Sequence, residues 1–174
     1  WARKPSDAEL SGYLPRNAPD GWGLIACKTI PGNRVDDCVE LGQSPAGLEQ
    51  MRITIASHGK KHPFTVEVAR SPEEQAQGLM FRSALEPDRG MIFPFDNARQ
   101  ASFWMKNTLI PLDMVFIAGD GTIKHIHANA TPLSTDAIPS QFPVRAVLEI
   151  NGGSARLLGI KPGDKVKHAI FGNA

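Results

Sequence analysis

The sequence lacks the features that mark several large classes of protein. Its 174 residues contain no apolar run of about eighteen residues, so no transmembrane segment is predicted. Nineteen Lys and Arg against eighteen Asp and Glu leave a net charge of +1, which is too balanced for a nucleic-acid partner. Neither a phosphate-cradling glycine loop nor a Gly-x-Ser-x-Gly nucleophile motif occurs. These absences argue against nucleotide chemistry and against catalysis by an activated serine.

Cysteine is also scarce, and both cysteines, Cys27 and Cys38, lie near the N-terminus. Two strands are predicted at residues 23–30 and 34–41, around a Pro-Gly-Asn turn at residues 31–33 that suits a tight hairpin. In this hairpin Cys27 falls opposite Cys38, at a distance that allows a disulfide. Reduced, buried thiols or half of a metal site are the alternatives, although no further Cys or nearby His would complete such a site. A disulfide would indicate an oxidising compartment.

An initiator methionine is missing as well, because the chain begins Trp1-Ala2-Arg3. We expect a mature or trimmed product, which is compatible with the removal of an export signal. Together with the predicted disulfide, this favours a periplasmic or otherwise exported protein. Residues 1–50 carry a net charge of −2 and residues 51–174 a net charge of +3. We therefore predict an N-terminal β-hairpin appendage, residues 1–50, followed by one domain, residues 51–174.

Residues 51–174 show the pattern of short strands with one helix. Apolar and polar residues alternate over 51–56 and 64–69, as in a β-hairpin with one buried face. The run Ser71-Pro72-Glu73-Glu74 combines a capping serine with Pro at the first helical position, so a short helix is predicted over about 71–81. Further strands are predicted at 90–95, 101–105, 112–117, 122–130, 144–150 and 166–171. This pattern is typical of a mainly β protein, either a β-sandwich or a barrel.

The most unusual stretch, residues 103–114, combines aromatic, methionine, basic, amide and acidic side chains. Pro111 excludes a continuous helix, so a strand, a sharp turn and a second strand are predicted. Asp113 is then the only polar group of a strand that is predicted to be buried on both faces. Because a buried carboxylate needs hydrogen-bond or ionic partners, we expect Asp113 to have them. Lys106 and Asn107, just before the turn, are the nearest candidates in the sequence.

Polar residues inside otherwise apolar segments form the candidate ligand-binding site. With the two large side chains beside them, they are Arg82, Trp104, Met105, Lys106, Asn107, Asp113 and Glu149. Burial would force the charged members to pair with one another or with a ligand. Two cations and two acids balance, which suits a structural network as well as a binding site. If the site binds a ligand, the predicted cleft is lined by Arg82, Trp104, Met105 and Lys106.

His125 and His127 suggest a different site, one that binds a metal. Both imidazoles lie on one face of a predicted strand, and Glu149 and His168 could supply further ligands. A cupin metal centre uses His-x-His with a carboxylate and a third histidine. A strand edge that faces solvent explains the same pattern. A cupin-like, metal-dependent enzyme is therefore the alternative to a non-enzymatic domain, for which we predict no cofactor and no catalytic residue.

Short motifs also occur in residues 1–50: Trp1-x-Arg3-x-Pro5, Tyr13-Leu14-Pro15, Ala26-Cys27, Asp37-Cys38-Val39 and Ser44-Pro45-Ala46-Gly47. They resemble the carboxy-terminal domain of TonB-type energy transducers, in the cysteine-containing form found in some Proteobacteria. The resemblance covers only the first half of that domain. After Gly47 the amphipathic helix and the final strand are missing. It therefore implies a partial TonB-like segment and not a complete transducer domain.

A second set of motifs runs through residues 51–174: Gly78-Leu79-Met80-Phe81-Arg82, Gly90-Met91-Ile92-Phe93, Phe103-Trp104-Met105-Lys106-Asn107-Thr108, Pro111-Leu112-Asp113-Met114, Asn129 with Pro132, Val147-Leu148-Glu149, and Gly159-Ile160 with Gly163-Asp164. They resemble the bacterial and archaeal domain-of-unknown-function family 192. The resemblance implies a jelly-roll-like β-sandwich, frequently exported or lipid-anchored, without an established activity. We expect an extracytoplasmic, non-enzymatic domain that binds a small molecule or a partner protein, with a purely structural or interaction module as the other alternative.

Overall fold

The structure is a computed structural model that describes residues 47–174 and, within residues 1–46, the backbone of three short strands. The chain forms two compact units, residues 1–50 and residues 51–174. Within the described residues, no helix has the length and apolar character needed to cross a membrane.

The three strands of the first unit form one antiparallel sheet. They are β1 (Leu14–Asn17), β2 (Leu24–Lys28) and β3 (Asp37–Glu40), with β2 in the centre. The register of β2 and β3 places Cys27 opposite Cys38. The predicted turn at 31–33 and both cysteine side chains lie outside the described residues. The hairpin turn and the disulfide therefore stay predictions.

The elements of the second unit are mostly strands. In chain order they are β4 (Glu49–Ser57), β5 (Lys60–Val68), α1 (Pro72–Gln77), β6 (Arg89–Arg99), β7 (Ser102–Phe103), β8 (Leu112–Ile117), β9 (Ile123–Ala130), β10 (Ile138–Pro139), β11 (Val144–Asn151), α2 (Ser154–Leu158), β12 (Lys165–Lys167) and a final 3₁₀ turn (Ala169–Phe171). Seven strands form one sheet in the order β12-β4-β5-β6-β11-β8-β9, and β7 pairs with β10 in a small second sheet. β5 and β6 pair in parallel, with α1 in the connection between them.

The helix α1 begins where the sequence predicts. The Ser71 hydroxyl accepts a hydrogen bond from the Glu74 amide, 3.1 Å, and the Glu74 carboxylate accepts one from the Ser71 amide, also 3.1 Å. This reciprocal capping box satisfies two amide groups that the first helical turn leaves unpaired. The helix ends at Gln77, earlier than the predicted 81, because Gly78 adopts a positive φ of 48°. Residues 79–82 therefore form a turn instead of a helical face.

The seven-stranded sheet curls until its two edge strands meet. Thr122, just before β9, forms an antiparallel bridge with Lys165 of β12. The Ile123 amide donates to the Asp164 carbonyl at 2.9 Å. A mainly β fold with few helices is thus confirmed. The jelly-roll sandwich is not confirmed, because these strands form one curled, mixed sheet, and the parallel pairing of β5 with β6 depends on a long-range contact that no local pattern reveals.

Along each strand, the side chains of successive residues point to opposite faces of the sheet. The concave face holds the main core: Met51, Ile53, Ile55, Phe64, Val66, Val68, Ile92, Val115, Ile117, Ile123, Ala146, Leu148, Ile150, Ala155, Ile160, Val166 and Phe171. The opposite, outer face carries a row in which Glu67, Met91, Glu149 and Met114 are cross-strand neighbours. This row is buried although it contains two acids, so a second layer of loops covers it.

Two short elements differ from their predicted strands. The strand predicted at 101–105 is reduced to Ser102–Phe103, and the last strand, predicted at 166–171, ends at Lys167 and continues as a 3₁₀ turn. The helix α2 was not predicted. With only five residues and a glycine at each end, Gly153 and Gly159, it has too little periodicity to be recognised.

Candidate functional site

Asp113 is fully buried on β8, and its carboxylate is saturated by backbone amides. One oxygen accepts hydrogen bonds from the amides of Asn129, 2.8 Å, and Gly153, 3.0 Å, and the other accepts from Ala155 at 2.9 Å. Gly153 is the N-cap of α2 and supplies no side-chain cap of its own. Asp113 therefore caps α2 from a neighbouring strand. Its partners are backbone groups and not Lys106 or Asn107, which makes its role structural.

Arg82 pairs with a second buried acid, Glu67 on β5. Its two terminal nitrogens reach the two carboxylate oxygens at 2.7 and 3.0 Å, a bidentate arrangement. A buried carboxylate of this kind would be costly without its cation. The pair fastens the turn at residues 79–82 to the outer face of the sheet. Glu67 was predicted to lie on the polar face of a hairpin, and its burial becomes clear only once α1 and the following turn are placed over β5.

Glu149 lies on β11 in the same buried row, between Met91 and Met114 on the adjacent strands. Within residues 47–174, no hydrogen bond or ion pair reaches its carboxyl group. Burial raises the pKa of Glu149 from 4.5 to about 8, because an ionised carboxylate loses its hydration among apolar side chains. At neutral pH this residue is mostly protonated. It supplies a neutral carboxyl group and no fixed charge.

The segment around Trp104 presents its side chains on different sides. Met105 is fully buried, whereas Trp104 is about half exposed. The Lys106 ammonium lies over the Trp104 ring, 5.2 Å from its centroid. Asn107 has a positive φ of 55°, and its carbonyl accepts a hydrogen bond from the amide of Phe81 at 2.8 Å. The predicted members of one cleft thus separate into a buried methionine, an exposed Trp–Lys pair, and Arg82 in a partly buried ion pair with Glu67.

Trp104 also lines an aromatic groove. Its volume is about 450 Å³, which falls within the usual range of small-molecule sites, about 300–1,000 Å³. The Phe103 ring packs edge-on against Phe93, 5.1 Å between centroids, and fixes the floor. The groove is lined by Gln75, Ala76, Phe93, Phe95, Arg99, Gln100, Ala101, Ser102, Phe103 and Trp104.

A smaller polar recess adjoins this aromatic groove and shares Gln75, Phe95 and Arg99 with it. Its volume is about 300 Å³, and its lining is completed by Arg70, Pro94, Asp96 and Asn97. The Arg99 guanidinium lies 4.1 Å from the centroid of the Phe95 ring. No ion pair of Arg99 occurs in the described part of the chain. An exposed guanidinium held against an aromatic ring is well suited to bind a carboxylate in a bidentate manner.

The histidine pair has a different environment from a cupin centre. The His125 ring stacks on Phe116, 5.5 Å between centroids at 15°. Burial lowers the pKa of His125, and the neighbouring His127 lowers it further. His127 is the cross-strand neighbour of Met114, so one strand separates it from Glu149. Among the described residues, no group of three or more His, Cys, Asp and Glu is arranged to hold a metal ion.

Only part of the site was visible in the sequence. Trp104 was identified, but its groove partners Gln75, Phe95 and Arg99 were not. Phe95 and Arg99 belong to the long strand β6, and Gln75 is anchored by hydrogen bonds to the carbonyls of Ala69 and Pro94, both 3.0 Å. A signal for Arg99 exists in the sequence: it is a lone cation that follows the aromatic run at 93–95. The signal is weak, because the same pattern is common on exposed strand ends.

Comparison with protein families gives one match. The model of DUF192, described as "Uncharacterized ACR", matches residues 53–168. The matched segment contains the curled sheet and nearly all of its loops, and the first unit lies outside it. No curated protein matches the chain.

The solved structures that are similar to this one include two proteins of bacterial origin. A protein from Sinorhizobium meliloti 1021, described as a proposed transcription regulator, is 46% identical, with a TM-score of 0.69; the match covers 71% of this chain and 96% of that chain. A protein of unknown function from Novosphingobium aromaticivorans DSM 12444 is 36% identical, with a TM-score of 0.70; that match covers 94% of this chain and 99% of the other. The second unit, residues 51–174, makes up only 124 of the 174 residues. A match that covers 94% of the chain must therefore include part of the first unit.

Proposed function

The chain belongs to the DUF192 family of uncharacterised proteins, and we propose that it is a non-enzymatic domain that binds a small amphipathic carboxylate in the aromatic groove. One observation carries this proposal: an aromatic groove of about 450 Å³ continues into a polar recess across Arg99, a guanidinium without an ion pair in the described residues.

The aromatic groove suits the apolar part of such a ligand. Four aromatic rings line it, and Trp104 offers a large face that is still about half exposed. Covering such rings removes apolar surface from water, which is favourable by roughly 25 cal/mol per Å². Apolar walls with a few polar groups at one end are typical of small-molecule sites. A hydrocarbon chain or an aromatic ring would therefore occupy this part.

The polar recess suits an anionic end group. Arg99 and Arg70 both line it, against a single acid, Asp96. Asn97 and Gln75 add neutral amide groups beside them. The Arg99 guanidinium, which has no ion pair in the described residues, favours a carboxylate over an ammonium group. The planar fork of Arg99 would fix its orientation through two parallel hydrogen bonds.

Thermal unfolding of the full chain tests the proposal with defined probes. Octanoate and 4-phenylbutyrate are expected to raise the melting temperature, whereas octanamide and 4-phenylbutanamide, which keep the apolar part but lack the charge, are expected to raise it far less. A ligand at 100 times its Kd would add about 2.7 kcal/mol of stability. Arg99→Gln is expected to weaken carboxylate binding by about tenfold or more, because a charge-assisted bidentate contact is lost.

Arg156→Gln is the matched control, because Arg156 is an exposed arginine on α2, outside the groove. It should leave the response to octanoate unchanged. Equal shifts with carboxylates and amides, or an unchanged response in Arg99→Gln, would remove the proposed carboxylate contact. A flat response to every probe would leave a structural or interaction module as the better description.

We also propose that the protein works outside the cytoplasm and that Cys27 and Cys38 form a disulfide in a partial TonB-like unit. The support is the register of β2 and β3, which places the two residues opposite each other. Thiol titration of denatured, unreduced protein from an oxidising compartment is expected to find no free thiol. Two titratable thiols would contradict both the disulfide and the export argument that depends on it.

A further inference from the structure

The side-chain amide of Gln75 is held in one orientation where the aromatic groove adjoins the polar recess. Its Nε2 donates to two backbone carbonyls, those of Ala69 and Pro94, at 3.0 Å each. An amide nitrogen has two hydrogens, so both of its donors are used. Because both partners can only accept, the amide cannot be reversed, and its carbonyl oxygen faces away from them. The two bonds connect α1 to the residue after β5 and to β6, which keeps the amide in place.

The Gln75 carbonyl oxygen is therefore a fixed acceptor that a ligand could use. Among the described residues no hydrogen bond reaches this oxygen, and it is not a buried atom. Gln75 lines both the groove and the recess, as Phe95 and Arg99 do. A ligand that extends from one cavity into the other would cover the oxygen and remove its water. Since an acceptor that loses water without gaining a donor weakens binding, the ligand should bring an N–H or O–H group to this point.

Three chemical features thus follow one another from the recess to the groove. Arg99 offers a guanidinium for a carboxylate, Gln75 offers one neutral acceptor, and the aromatic rings offer apolar surface. An N-acylated α-amino acid has the matching groups in the same order: a carboxylate, an amide N–H on the adjacent carbon, and an acyl group. A simple fatty acid lacks the central donor. A free α-ammonium group would instead favour a charged acceptor, and Asp96 of the recess is the candidate for that role.

We propose that the site takes N-acylated α-amino acids, as free compounds or at the C-terminus of a peptide, and that Gln75 accepts a hydrogen bond from the acyl amide N–H. The inference rests on the proposed function, because it keeps the carboxylate at Arg99 and the apolar part in the aromatic groove. It adds the group that lies between them. Gln75 is then a specificity-determining residue, since its oxygen disfavours any ligand that places only lone pairs there.

Calorimetric titration of the full chain with a matched pair of ligands tests the proposal. Hippurate, which is N-benzoylglycine, and O-benzoylglycolate share a ring and a carboxylate, but an ester oxygen replaces the amide N–H in the second. We expect hippurate to bind about tenfold more tightly or more, because the ester leaves the Gln75 oxygen without a donor. Equal affinities would overturn the proposal. Tighter binding of phenylalanine than of hippurate would also overturn it, since an ammonium group beside Asp96 would then supply the donor.

Gln75→Ala should largely remove the preference for hippurate over O-benzoylglycolate, whatever it does to the two affinities themselves. Gln77→Ala is the matched control, because Gln77 is exposed on the same helix and lines neither cavity. It should keep the preference of the unmodified chain. A preference that persists in Gln75→Ala would assign the N–H to another acceptor and contradict the role of Gln75. The ligand pair is compared on the unmodified chain, so the test does not depend on the folding of a variant.

4-Phenylbutyrate separates this inference from the proposed function, because it has a ring and a carboxylate but no N–H. If it binds while hippurate and O-benzoylglycolate bind equally, the proposed function stands and this inference alone fails. If no carboxylate binds, both fail. N-acetyl-Ala-Phe-Gly distinguishes the two sources of the ligand: tighter binding than that of hippurate would indicate a peptide C-terminus, and weaker binding a free N-acyl amino acid.

Discussion

Replacing Asp113 with alanine is expected to lower the free energy of unfolding by about 3–6 kcal/mol, a large part of the about 5–15 kcal/mol that holds a domain folded. The cause is the loss of one acceptor group for three backbone amides, those of Asn129, Gly153 and Ala155, whose hydrogen bonds to Asp113 are partly or fully buried. Each unsatisfied buried donor costs about 1–3 kcal/mol. The N-terminus of α2 would lose its cap, and α2 would separate from β8.

Asp113→Asn is expected to be almost as harmful. The amide keeps one acceptor oxygen, but its NH₂ group then faces backbone donors that need an acceptor. Urea denaturation measures both variants, and Asp136→Ala is the control, because Asp136 is exposed and should change stability by less than about 0.5 kcal/mol. A loss below about 1 kcal/mol in Asp113→Ala would mean that Asp113 is not the cap of α2.

Glu149→Gln is expected to stabilise the protein in alkaline solution. In the folded chain burial raises the pKa of Glu149 from 4.5 to about 8. Below pH 4.5 the residue holds its proton in both the folded and the unfolded chain, so wild type and variant should be similarly stable. Between pH 4.5 and about 8 only the unfolded chain ionises, and the stability of the wild type relative to the variant falls as the pH rises. Above pH 8 the difference should level off.

The size of this difference follows from the shift itself. One pKa unit corresponds to about 1.4 kcal/mol. At pH 9 the free energy of unfolding of the glutamine variant should therefore exceed that of the wild type by at most about 5 kcal/mol. Glu67 and Arg82, which share the outer face of the sheet, are present in both proteins, so the comparison isolates residue 149. Melting temperatures from pH 5 to pH 9 measure the effect, and Glu86→Gln controls for the loss of an exposed carboxylate. A difference that does not change with pH would show that Glu149 is ionised in the folded protein.

Local patterns in the sequence predicted much of the fold. The strand pattern predicted β8 with its observed bounds, 112–117. Ser71, as the capping residue, predicted where α1 begins. Asp113 was recognised as a buried acid in need of partners, because it interrupts an apolar strand. Its partners could not be predicted, since they are backbone amides 16 to 42 residues away in the sequence. Backbone groups carry no signal in the amino-acid sequence.

The rest of the site depends on how distant strands are arranged. The parallel pair of β5 and β6 and the curl of the sheet place Glu67 and Glu149 in one buried row. The sequence predicted that Glu67 lies on the polar face of a hairpin. It also predicted that Arg82 and Lys106 belong to one cluster of polar residues. In the structure one cation is paired and the other is exposed, because their loops cover the sheet from different positions. The aromatic groove combines residues of α1, β6 and β7, which no single segment reveals.

Fluorine NMR of the full chain labelled with 5-fluorotryptophan tests the proposed binding site most directly. The chain has three tryptophans, and the Trp104 signal can be assigned with Trp104→Phe. Titration with 4-phenylbutyrate should shift the Trp104 resonance saturably, and Arg99→Gln should abolish the shift at the same concentrations. An unmoved Trp104 resonance, or a shift that Arg99→Gln leaves unchanged, would contradict the assignment of the aromatic groove as a carboxylate-binding site.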